Sequence, residues 1–557
     1  MAMWRDGGAA GALRPRADGL LAADAPPIVP IMTPALQGEL SAAGVLRLER
    51  WGVGEIGRVR VEGLEGPFVI APNAIEGAGG ARLAAAQSAP VLALSGASVA
   101  GVTAGSDGRL VVERREAGWL IAGGAHDAEA AAGLALGIEA AQREADAYVR
   151  RCDKLPTAEP LLRSLVIQGA HAALSSPRRH ADGGFAGLSA GLVYASPPRT
   201  YYRDGYWTLQ LLLRAAPELA AAQIDLLAGG VGPDGEAPSA VIIHCPHAED
   251  FERRRLEDLA MQAIHWRAGE WWSDHFDSPL FFTLAVGDYV GATGDAAMAE
   301  RHWPALKAIF ARYQRLRGPA GLPLKPGNDR DWADNVRRSG LVAYDLGLWV
   351  GALDVTARLG AGRDAETARA ARQTAEAART AISAALWRGR WCADYAPAEG
   401  PSEDHLALDA LTLLRHDAIP EDQALETLEA VREQLESRRN AAQPYGDFGM
   451  LSVFPPFSRR ADLRAKSAFP YRYHNGADWP WLDGLYAAER LRRGLPGWRY
   501  PLLRWWEAAL AQGWAGPIEY FSPPFGRGSL LQAWSSLPAA VALTYADHVL
   551  AGDAESR

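Results

Sequence analysis

After Pro160 the sequence predicts a long series of helices of two alternating kinds, and this alternation most constrains the fold. The segment "GLVAYDLGLWVGAL" at 340–353 is apolar on nearly all sides, whereas "DAETARAARQTAEAARTAISAAL" at 364–386 has a polar face. A helix that is apolar all round must be surrounded by other elements, and an amphipathic helix covers one side of a core. The alternation therefore predicts a mainly α fold of two concentric rings, with six helices inside and six outside.

Apolar periodicity and capping residues place twelve principal helices in this part of the chain. Their predicted ranges are 160–176, 205–215, 216–229, 278–293, 296–317, 339–360, 363–388, 403–416, 421–438, 480–495, 499–513 and 528–550. A weaker helical pattern near 252–266 is interpreted as an insertion. The even-numbered helices are the more apolar, so we expect them to form the inner ring.

Residues 1–125 differ from the rest, because they are rich in Gly and contain short alternating stretches such as "RVRVEG" and "RLVVERRE". This pattern is typical of strands and predicts an N-terminal β-sandwich-like domain. An Ala- and Glu-rich helical pattern then predicts a linker at 126–158, and 159–557 is expected to form the helical domain. A chain of 557 residues exceeds one ordinary core, which agrees with this division.

The composition argues against several kinds of partner and cofactor. Acids outnumber bases, and the net charge of −9 argues against nucleic-acid binding. The three cysteines, Cys152, Cys245 and Cys392, lie far apart, and the histidines lack ligand spacing, so neither a metal nor another cofactor is expected. Neither a secretory leader nor a membrane-spanning stretch is evident, so we expect a cytoplasmic protein that does not bind membranes; the oligomeric state is left open.

Six unusual segments each precede an even-numbered helix. They are "TYYRD" (200–204), "GEWWSDHFD" (269–277), "GNDRDWADNVRRSG" (327–340), "PSEDH" (401–405), "RYHNGADWP" (472–480) and "PIEYFSPPFGRGS" (517–529). In a toroid of helical hairpins all inner helices run in the same direction, so the six loops and six helix N-termini meet at one rim. The sequence thus predicts a single site built from six distant loops.

These loops are rich in carboxylates and aromatic rings. The charged residues are Arg203, Asp204, Asp274, Asp277, Asp331, Asp334, Asp478 and Glu519, and the aromatic ones are Tyr202, Trp207, Trp271, Trp272, Trp332, Trp479 and Trp534. Sugar hydroxyls hydrogen-bond to carboxylates and arginines, and the C–H face of a pyranose packs on an aromatic ring. Glycoside hydrolysis needs one carboxylic acid and a second carboxylate. We therefore expect a site for a small oligosaccharide or glycoside.

Several segments resemble motifs of the (α/α)6-toroid glycoside hydrolases of the glycogen-debranching glucosidase, processing α-glucosidase I and trehalase type. The motifs are "YYRDGYW", "FDSPLFFTLAVGDYVGATGD", "YHNGADWPW" and "IEYFSPPFGRGSLLQAWS", and the resemblance covers about 155–550. It implies an (α/α)6 toroid and an exo-acting, inverting enzyme that cleaves an α-linked glucoside or a similar short oligosaccharide. It also implies that Glu519 is the general base.

The resemblance leaves more than one candidate for the general acid. Relatives carry Asp-(Asn or Phe)-x-x-Arg before the sixth helix with that Asp as the acid, and Asp334 stands at the matching position of "DNVRR". Asp329 and Asp331 are the alternatives. In inverting enzymes the two carboxyl groups stand about 6.5–9.5 Å apart to admit a water molecule. Asp334 is then expected to carry a proton, and Glu519 to be ionised.

The resemblance further implies that other loop residues hold the sugar. The expected substrate-binding residues are Tyr202, Arg203, Asp204, Trp207, Trp272, Asp277, Trp332, Arg338, His474, Asn475, Trp479, Gln532 and Trp534. Purely structural roles are the alternatives for three of the charged groups. Glu519 could pair with Arg527, Asp334 could cap a helix from 339, and Arg203 could form a salt bridge with Asp204.

Other functions on the same toroid also remain open. An α-L-rhamnosidase is the nearest alternative among the hydrolases, because those toroids also carry β-sandwiches and Asp-Trp-rich loops. A phosphorylase replaces the base with a phosphate site, which the presence of Glu519 argues against. A lyase or epimerase could draw a base from "YRYHNG" at 471–476, and a non-catalytic sugar-binding protein is the remaining alternative.

Overall fold

The computed structural model describes residues 12–23, the strands between 28 and 123, six helical positions between 131 and 147, and 159–553 except 180–183, 192–198, 243–269, 272–273, 329 and 398–402. The predicted linker at 126–158 lies almost entirely outside these residues. The weak helical pattern near 252–266 lies entirely outside them.

Short strands are the described elements of the N-terminal region. They are β1 (Leu13–Pro15), β2 (Leu21–Ala23), β3 (Ile28–Pro30), β4 (Arg58–Arg60), β5 (Glu65–Ala71), β6 (Ala74–Ala78), β7 (Arg82–Ala85), β8 (Val91–Ser95), β9 (Gly105–Ser106), β10 (Leu110–Arg115) and β11 (Gly118–Gly123). Nine of the described strands form one sheet in the order β1-β2-β5-β6-β7-β8-β11-β10-β9, and β3 pairs with β4. Neighbouring strands run antiparallel, as between β10 and β11. The packing of two facing sheets as a sandwich remains a prediction.

Helices dominate the described residues from Glu159 onward. They are α1 (Pro160–Leu174), α2 (Tyr202–Ala215), α3 (Pro217–Ala228), α4 (Ser278–Thr293), α5 (Ala296–Arg315), α6 (Ala343–Gly360), α7 (Ala365–Leu386), α8 (Thr412–Arg415), α9 (Glu421–Gln434), α10 (Pro480–Arg492), α11 (Arg499–Ala511), α12 (Leu537–Thr544) and α13 (Ala546–Ala551). Each even-numbered helix packs against the next even-numbered one, and α12 packs against α2. The even-numbered helices therefore close a ring, and the predicted mainly α toroid is confirmed.

The odd-numbered helices lie outside this ring. Helix α3 packs on α2, α5 on α4, α7 on α6, α11 on α10 and α1 on α12. Helix α7 buries Ala371, Ala375, Ala378 and Ile382, which recur every three or four residues and so lie on one face. Helix α6, in contrast, is buried along nearly its whole length. The two apolar patterns in the sequence thus correspond to the two rings.

Glycines allow the inner helices to approach closely. A Cβ atom on Gly347 of α6 would lie 2.4 Å from the carbonyl carbon of Thr412, at the start of α8. One turn later, a Cβ atom on Gly351 would lie 2.4 Å from Nδ1 of His416. The backbone contact at Gly347 excludes any side chain there, and Gly351 leaves room for the ring of His416, so these two glycines set how closely α6 approaches α8.

The remaining strands are short and lie mainly at the rim of the ring. They are β12 (Pro177–Arg179), β13 (Phe185–Leu188), β14 (Arg199–Tyr201), β15 (Ala240–Ile242), β16 (Glu270–Trp271), β17 (Lys325–Asn328), β18 (Arg338–Val342), β19 (Tyr395–Ala396), β20 (Leu406–Ala407), β21 (Val453–Phe454), β22 (Ile518–Ser522) and β23 (Phe525–Leu530). Strands β14, β18 and β20 run directly into or up to an inner helix. The loops before these inner helices are therefore small sheets and hairpins.

Three predicted helix starts are wrong for this reason. The helix predicted at 339–360 begins at Ala343, after strand β18, and the helix predicted at 403–416 shrinks to α8 behind strand β20 and a 3-10 turn. The helix predicted at 528–550 begins only at Leu537, because 525–530 pairs with β22 instead. It is also interrupted between α12 and α13. Gly340 and Gly528 have φ angles of +77° and +78°, which a right-handed helix cannot contain.

None of the helices in the described part of the chain combines the length and apolarity needed to cross a membrane.

Candidate active site

Glu519 lies in the hairpin formed by β22 and β23. Its Oε2 atom accepts a hydrogen bond of 2.8 Å from the backbone N–H of Ser529 on the facing strand. Gly528 stands beside this carboxylate, and a Cβ atom there would lie 2.2 Å from Oε2. The side chain is buried, with 3% of the residue exposed. A fixed strand position, a backbone donor and a glycine thus determine where this carboxylate points.

Asp334 lies in a turn before β18, and its carboxylate remains partly accessible, with 22% of the side chain exposed. The turn is held by Val336, which bridges to Leu463, and by the N–H of Arg337, which donates to the Asp462 carbonyl at 2.7 Å. Asp334 does not cap the following helix, because α6 begins at Ala343 with Val342 as its N-cap. The structural alternative for this carboxylate, a helix cap, is therefore wrong.

His474 packs against this acid. Its Nδ1 atom lies 3.2 Å from Oδ1 of Asp334, a close contact without the alignment of a good hydrogen bond. Burial lowers the pKa of His474 well below its ordinary value, and the positive charge of Arg203 lowers it further. The imidazole is therefore neutral near pH 7 and meets Asp334 as a polar, uncharged neighbour.

Tyr473 connects the two candidate catalytic acids. The residue is buried, and its pKa is raised well above the ordinary value by burial and then by the negative charges of Asp334 and Glu519. Its ring lies 4.0 Å from that of His474, and 5.0 Å from that of Tyr520 on β22. Tyr473 therefore lies near two carboxylates that are 185 positions apart in the sequence. Sequence analysis did not include Tyr473 among the site residues.

Arg203, Asp204 and Asp277, here named the Arg203 cluster, lie at the starts of α2 and α4. Arg203 Nη1 donates to Asp277 Oδ2 at 3.0 Å, and the Tyr344 hydroxyl donates to the same oxygen at 2.9 Å. His275 Nδ1 bonds to the other oxygen of Asp277 at 2.6 Å. Arg203 therefore forms its salt bridge with Asp277, and not with the adjacent Asp204 that the structural alternative supposed.

Asp204 has a different environment from Asp277. Its Oδ1 atom accepts a hydrogen bond of 3.1 Å from Nε2 of Gln532, which lies after β23. Burial raises its pKa to about 7; the Arg203 charge opposes this rise, and the negative charge of Glu519 adds to it. Asp204 therefore lies close enough to Glu519 for the two carboxyl groups to influence each other, and it is partly protonated near neutral pH.

The tryptophans of the loops pack mainly on one another. Trp332 makes edge-to-face contacts with His474, Trp479 and Trp481 at 4.7, 5.5 and 5.3 Å. Trp207 stacks on Trp481 at 5.0 Å, and Trp534 contacts both Trp479 and Trp481. Each of these five indoles is at most 4% exposed. They form a rigid aromatic wall, and Trp481, which sequence analysis did not single out, is at its centre.

Arg338 was expected to bind substrate, but the structure places it in a buried ionic group of Arg338, Asp331, Asp394 and Asp409, here named the Arg338 cluster. Its guanidinium lies 3.1 Å from Asp331, 2.6 Å from Asp394 and 2.7 Å from Asp409. The Trp332 indole also donates to Asp409. A guanidinium that faces three internal carboxylates fixes the loop before α6.

Asp331, an alternative candidate for the general acid, belongs to this cluster. It is fully buried and contacts both Arg338 and Lys325. Burial alone would raise its pKa, but the two cations hold the pKa of Asp331 well below its ordinary value. A carboxylate that stays ionised cannot donate a proton near neutral pH. Asp329, the other alternative, lies outside the described residues.

Two further expected substrate-binding residues hydrogen-bond to backbone groups of the protein. The Tyr202 hydroxyl donates to the Leu227 carbonyl at 2.6 Å, which ties α2 to α3. The side-chain amide of Asn475 bonds to backbone groups of Phe457 and Ser467, and the residue is fully buried. Trp272 lies outside the described residues. Tyr202 and Asn475 therefore support the loops from behind, as does the fully buried Trp207.

The described residues contain no cluster of three or more His, Cys, Asp or Glu side chains that could hold a metal ion. No protein-family profile matches the chain, and no curated protein matches it. Solved structures do resemble it. One is a rhamnosidase from Klebsiella oxytoca with rhamnose bound, at 17% identity and a TM-score of 0.51, with the match covering 71% of this chain and 66% of that one.

A second similar structure is a bacterial glucoamylase complexed with acarbose. It shares 13% identity and a TM-score of 0.50, and the match covers 86% of this chain and 73% of the glucoamylase. The chain spans just under two thirds of the rhamnosidase. At these identities the likeness establishes a shared fold, in agreement with the ring of helices described above.

Proposed function

We propose that the protein is an inverting glycoside hydrolase that removes a terminal, α-linked glucosyl group from a short oligosaccharide or glycoside. Asp334 acts as the general acid and Glu519 as the general base. The observation that supports this proposal most directly is geometric: His474 contacts Asp334, Tyr520 follows Glu519, and the ring of Tyr473 packs against both His474 and Tyr520. Two carboxylic acids from separate loops beside one tyrosine match the pair that glycoside hydrolysis requires.

The proposed mechanism assigns a proton transfer to each acid. Asp334 donates its proton to the glycosidic oxygen as the bond to the anomeric carbon breaks, and Glu519 takes a proton from the water that attacks the opposite face of that carbon. The Ser529 N–H keeps Glu519 in place for this task. Asp204 lies within electrostatic range of Glu519, and together with Arg203 and Gln532 it supplies donors and acceptors for the hydroxyls of the terminal sugar.

The sugar itself admits one alternative. The similar structures hold rhamnose in one case and acarbose in the other. We favour the α-glucoside because the sequence motifs around Arg203, His474 and Glu519 resemble those of the glucosidases. An α-L-rhamnosidase is the second candidate, favoured by the likeness to the rhamnosidase structure.

The first experiment is a screen of α- and β-linked disaccharides and of α-L-rhamnosides, with NMR detection of the anomer first released. We expect an α-glucoside to release β-glucose initially. Release of the same anomer as the substrate would contradict the role of Glu519. Turnover that requires phosphate, or an unsaturated product that absorbs in the ultraviolet, would replace the proposal with a phosphorylase or a lyase.

Substitution of the two acids then separates their roles. We expect Glu519→Gln and Asp334→Asn each to lower kcat by about 10²- to 10⁴-fold, because each removes one proton transfer. A glycosyl fluoride needs no protonation of its leaving group, so Asp334→Asn should retain most activity on it, whereas Glu519→Gln should not. Glu433→Gln, which alters an exposed pair with Arg390, is the control and should leave kcat unchanged.

A further inference from the structure

One segment beside the site has a charge opposite to that of the molecule as a whole. The stretch 457–476, "FSRRADLRAKSAFPYRYHNG", contains five Arg or Lys side chains and a single acid, whereas the whole chain has a net charge of −9. Solvent-exposed charge of one sign attracts ligands of the other sign. The segment therefore differs from the rest of the surface in the ligands that it favours.

Backbone contacts join this segment to the loop of the proposed general acid. The N–H of Arg464 donates to the Asn335 carbonyl at 3.0 Å, and Arg337 donates to the Asp462 carbonyl. Asn475 holds the segment from below through Phe457 and Ser467. Because Asp334 protonates the oxygen of the leaving group, the segment that borders Asp334 lies on the leaving-group side of the site.

Lys466 is the cation of this segment that lies over the rings of the site. Its Nζ atom is 4.4 Å from the ring centroid of Tyr473 and 5.6 Å from that of Tyr520. The residue is exposed, and its charge contributes to the lowered pKa of His474. The ammonium group is therefore directed at the site and not away from it.

Two other cations of the segment, Arg459 and Arg472, have different contacts. Arg459 pairs with Asp462 at 3.3 Å, and Arg472 donates to the carbonyls of Tyr471 and Pro523. Among the described residues, Lys466 contacts neutral ring faces and forms no ion pair. A ligand with a negative charge would form one with it.

We propose that Lys466 is a specificity-determining residue that binds an anionic group, a carboxylate or a phosphate, on the leaving group of the substrate. The substrate class is then a glycoside with a short anionic aglycone. This inference rests on the proposed function, because it takes the direction of the leaving group from the role of Asp334. Under this inference, the segment 457–476 selects substrates by the charge of their leaving group.

The test uses three glucosides that differ only in the end of a two-carbon aglycone, namely 2-hydroxyethyl, carboxymethyl and 2-phosphoethyl α-glucoside. If the anomer screen identifies another sugar, the same three aglycones are attached to that sugar. We expect kcat/KM for at least one anionic glycoside to exceed that for the neutral one by about tenfold, as expected for a hydrogen bond between charged groups. The carboxymethyl and phosphoethyl compounds distinguish the two sources of negative charge.

Lys466→Met should reduce kcat/KM for the preferred anionic glycoside by about tenfold and that for the neutral glycoside by less than about twofold. Arg460→Gln is the matched control. It removes one positive charge from an exposed position of the same segment, away from the rings of Tyr473 and Tyr520. It should change kcat/KM for each of the three glycosides by less than about twofold. Added salt should reduce the anionic preference of the wild type.

Two results would overturn the inference while leaving the proposed function intact. One is equal kcat/KM for the anionic and neutral glycosides, and the other is an equal loss on both in Lys466→Met. If none of the glycosides is hydrolysed on any sugar tested, the proposed function fails. Calorimetry of the wild type and Lys466→Met with the same three compounds then decides the inference separately, and binding without a Lys466-dependent anionic preference overturns it.

Discussion

The Arg203 cluster and the Arg338 cluster contain the same kinds of residue but have different surroundings. Each is buried and includes one aspartate with a raised pKa, about 7 for Asp204 and about 6 for Asp394, in both cases through burial. Asp394 bonds to Arg338 inside a group of internal charges. Asp204 is bound by the neutral amide of Gln532 and lies within electrostatic range of Glu519.

A carboxyl group with a shifted pKa therefore does not by itself identify a functional site. Buried ionic groups that fix a loop perturb pKa values as strongly as catalytic groups do. What separates the two clusters is whether the carboxyl group lies close to other groups with an assigned chemical role. The Arg338 cluster holds the loop of Asp334 in place, and the Arg203 cluster borders Glu519, the proposed base.

The largest expected effect is that of Arg338→Met on stability. The substitution leaves Asp331, Asp394 and Asp409 without their shared cation, so we expect the unfolding free energy to fall by about 3–5 kcal/mol. Urea unfolding followed by tryptophan fluorescence measures the change. Arg379→Met, which breaks a pair with Asp354 at the surface, should cost less than about 1 kcal/mol. Equal stability of the two variants would mean that the Arg338 cluster does not hold the fold.

The pH dependence of stability tests both clusters in parallel. A carboxyl group whose folded pKa lies above its unfolded value stabilises the fold fully below the unfolded pKa, and this contribution is lost as the pH rises through the folded pKa. The window runs from about pH 4 to about pH 7 for Asp204, and to about pH 6 for Asp394. Within it, each group can reduce stability by up to about 1.4 kcal/mol per pH unit.

We therefore expect Asp204→Asn and Asp394→Asn each to flatten the fall of unfolding free energy across its window, measured by urea unfolding at intervals of one pH unit. Their effects on activity should differ. Asp204→Asn should lower kcat/KM by at least about tenfold, because it alters the hydroxyl-binding group beside Glu519, whereas Asp394→Asn should act through stability alone. If Asp394→Asn impairs catalysis as strongly in the fully folded protein, the distinction between the clusters is wrong.

A smaller effect on stability is expected at the hairpin of the proposed base. Gly528→Ala and Gly389→Ala both place a side chain at a positive φ, which costs about 1 kcal/mol in each case. They differ in what the new methyl group meets, since Gly528 abuts the Glu519 carboxylate and Gly389 has nothing within 4 Å. Only Gly528→Ala should lower kcat, by roughly 10- to 100-fold, because the carboxylate must shift. Equal activity of both variants would exclude Glu519 as the base.

Much of the toroid could be predicted from the sequence because the inner and outer helices bury different fractions of their surface. The ends of α4 match the predicted range, and those of α5 and α7 differ from prediction by two residues or fewer. The errors lie where backbone pairing overrides apolar periodicity. The helix predicted from 528 begins inside strand β23, Phe525–Leu530, which pairs with β22, and the only local signal was the pair of glycines at 526 and 528.

The roles of individual charges could be predicted less well than their location. Arg203 and Arg338 each stand beside an aspartate or another arginine in similar sequence contexts, so the sequence did not distinguish them. The partners that do distinguish them are distant, since Asp394 and Asp409 follow Arg338 by 56 and 71 residues. Neither partner lies in a conspicuous motif. The pairing of β18 with β19 brings Asp394 to Arg338, and the packing of α6 against the turn before α8 brings Asp409.

Closure of the ring joins elements from the two ends of the helical domain. Helix α12 must dock between α10 and α2, and the hydrogen bond from Gln532 to Asp204 joins residues 328 positions apart. Contacts at such separations form late, because a long loop must first lose its conformational freedom. Before this closure, the apolar sides of α2 and α10 that α12 covers are exposed to water. Turnover would thus report that assembly is complete.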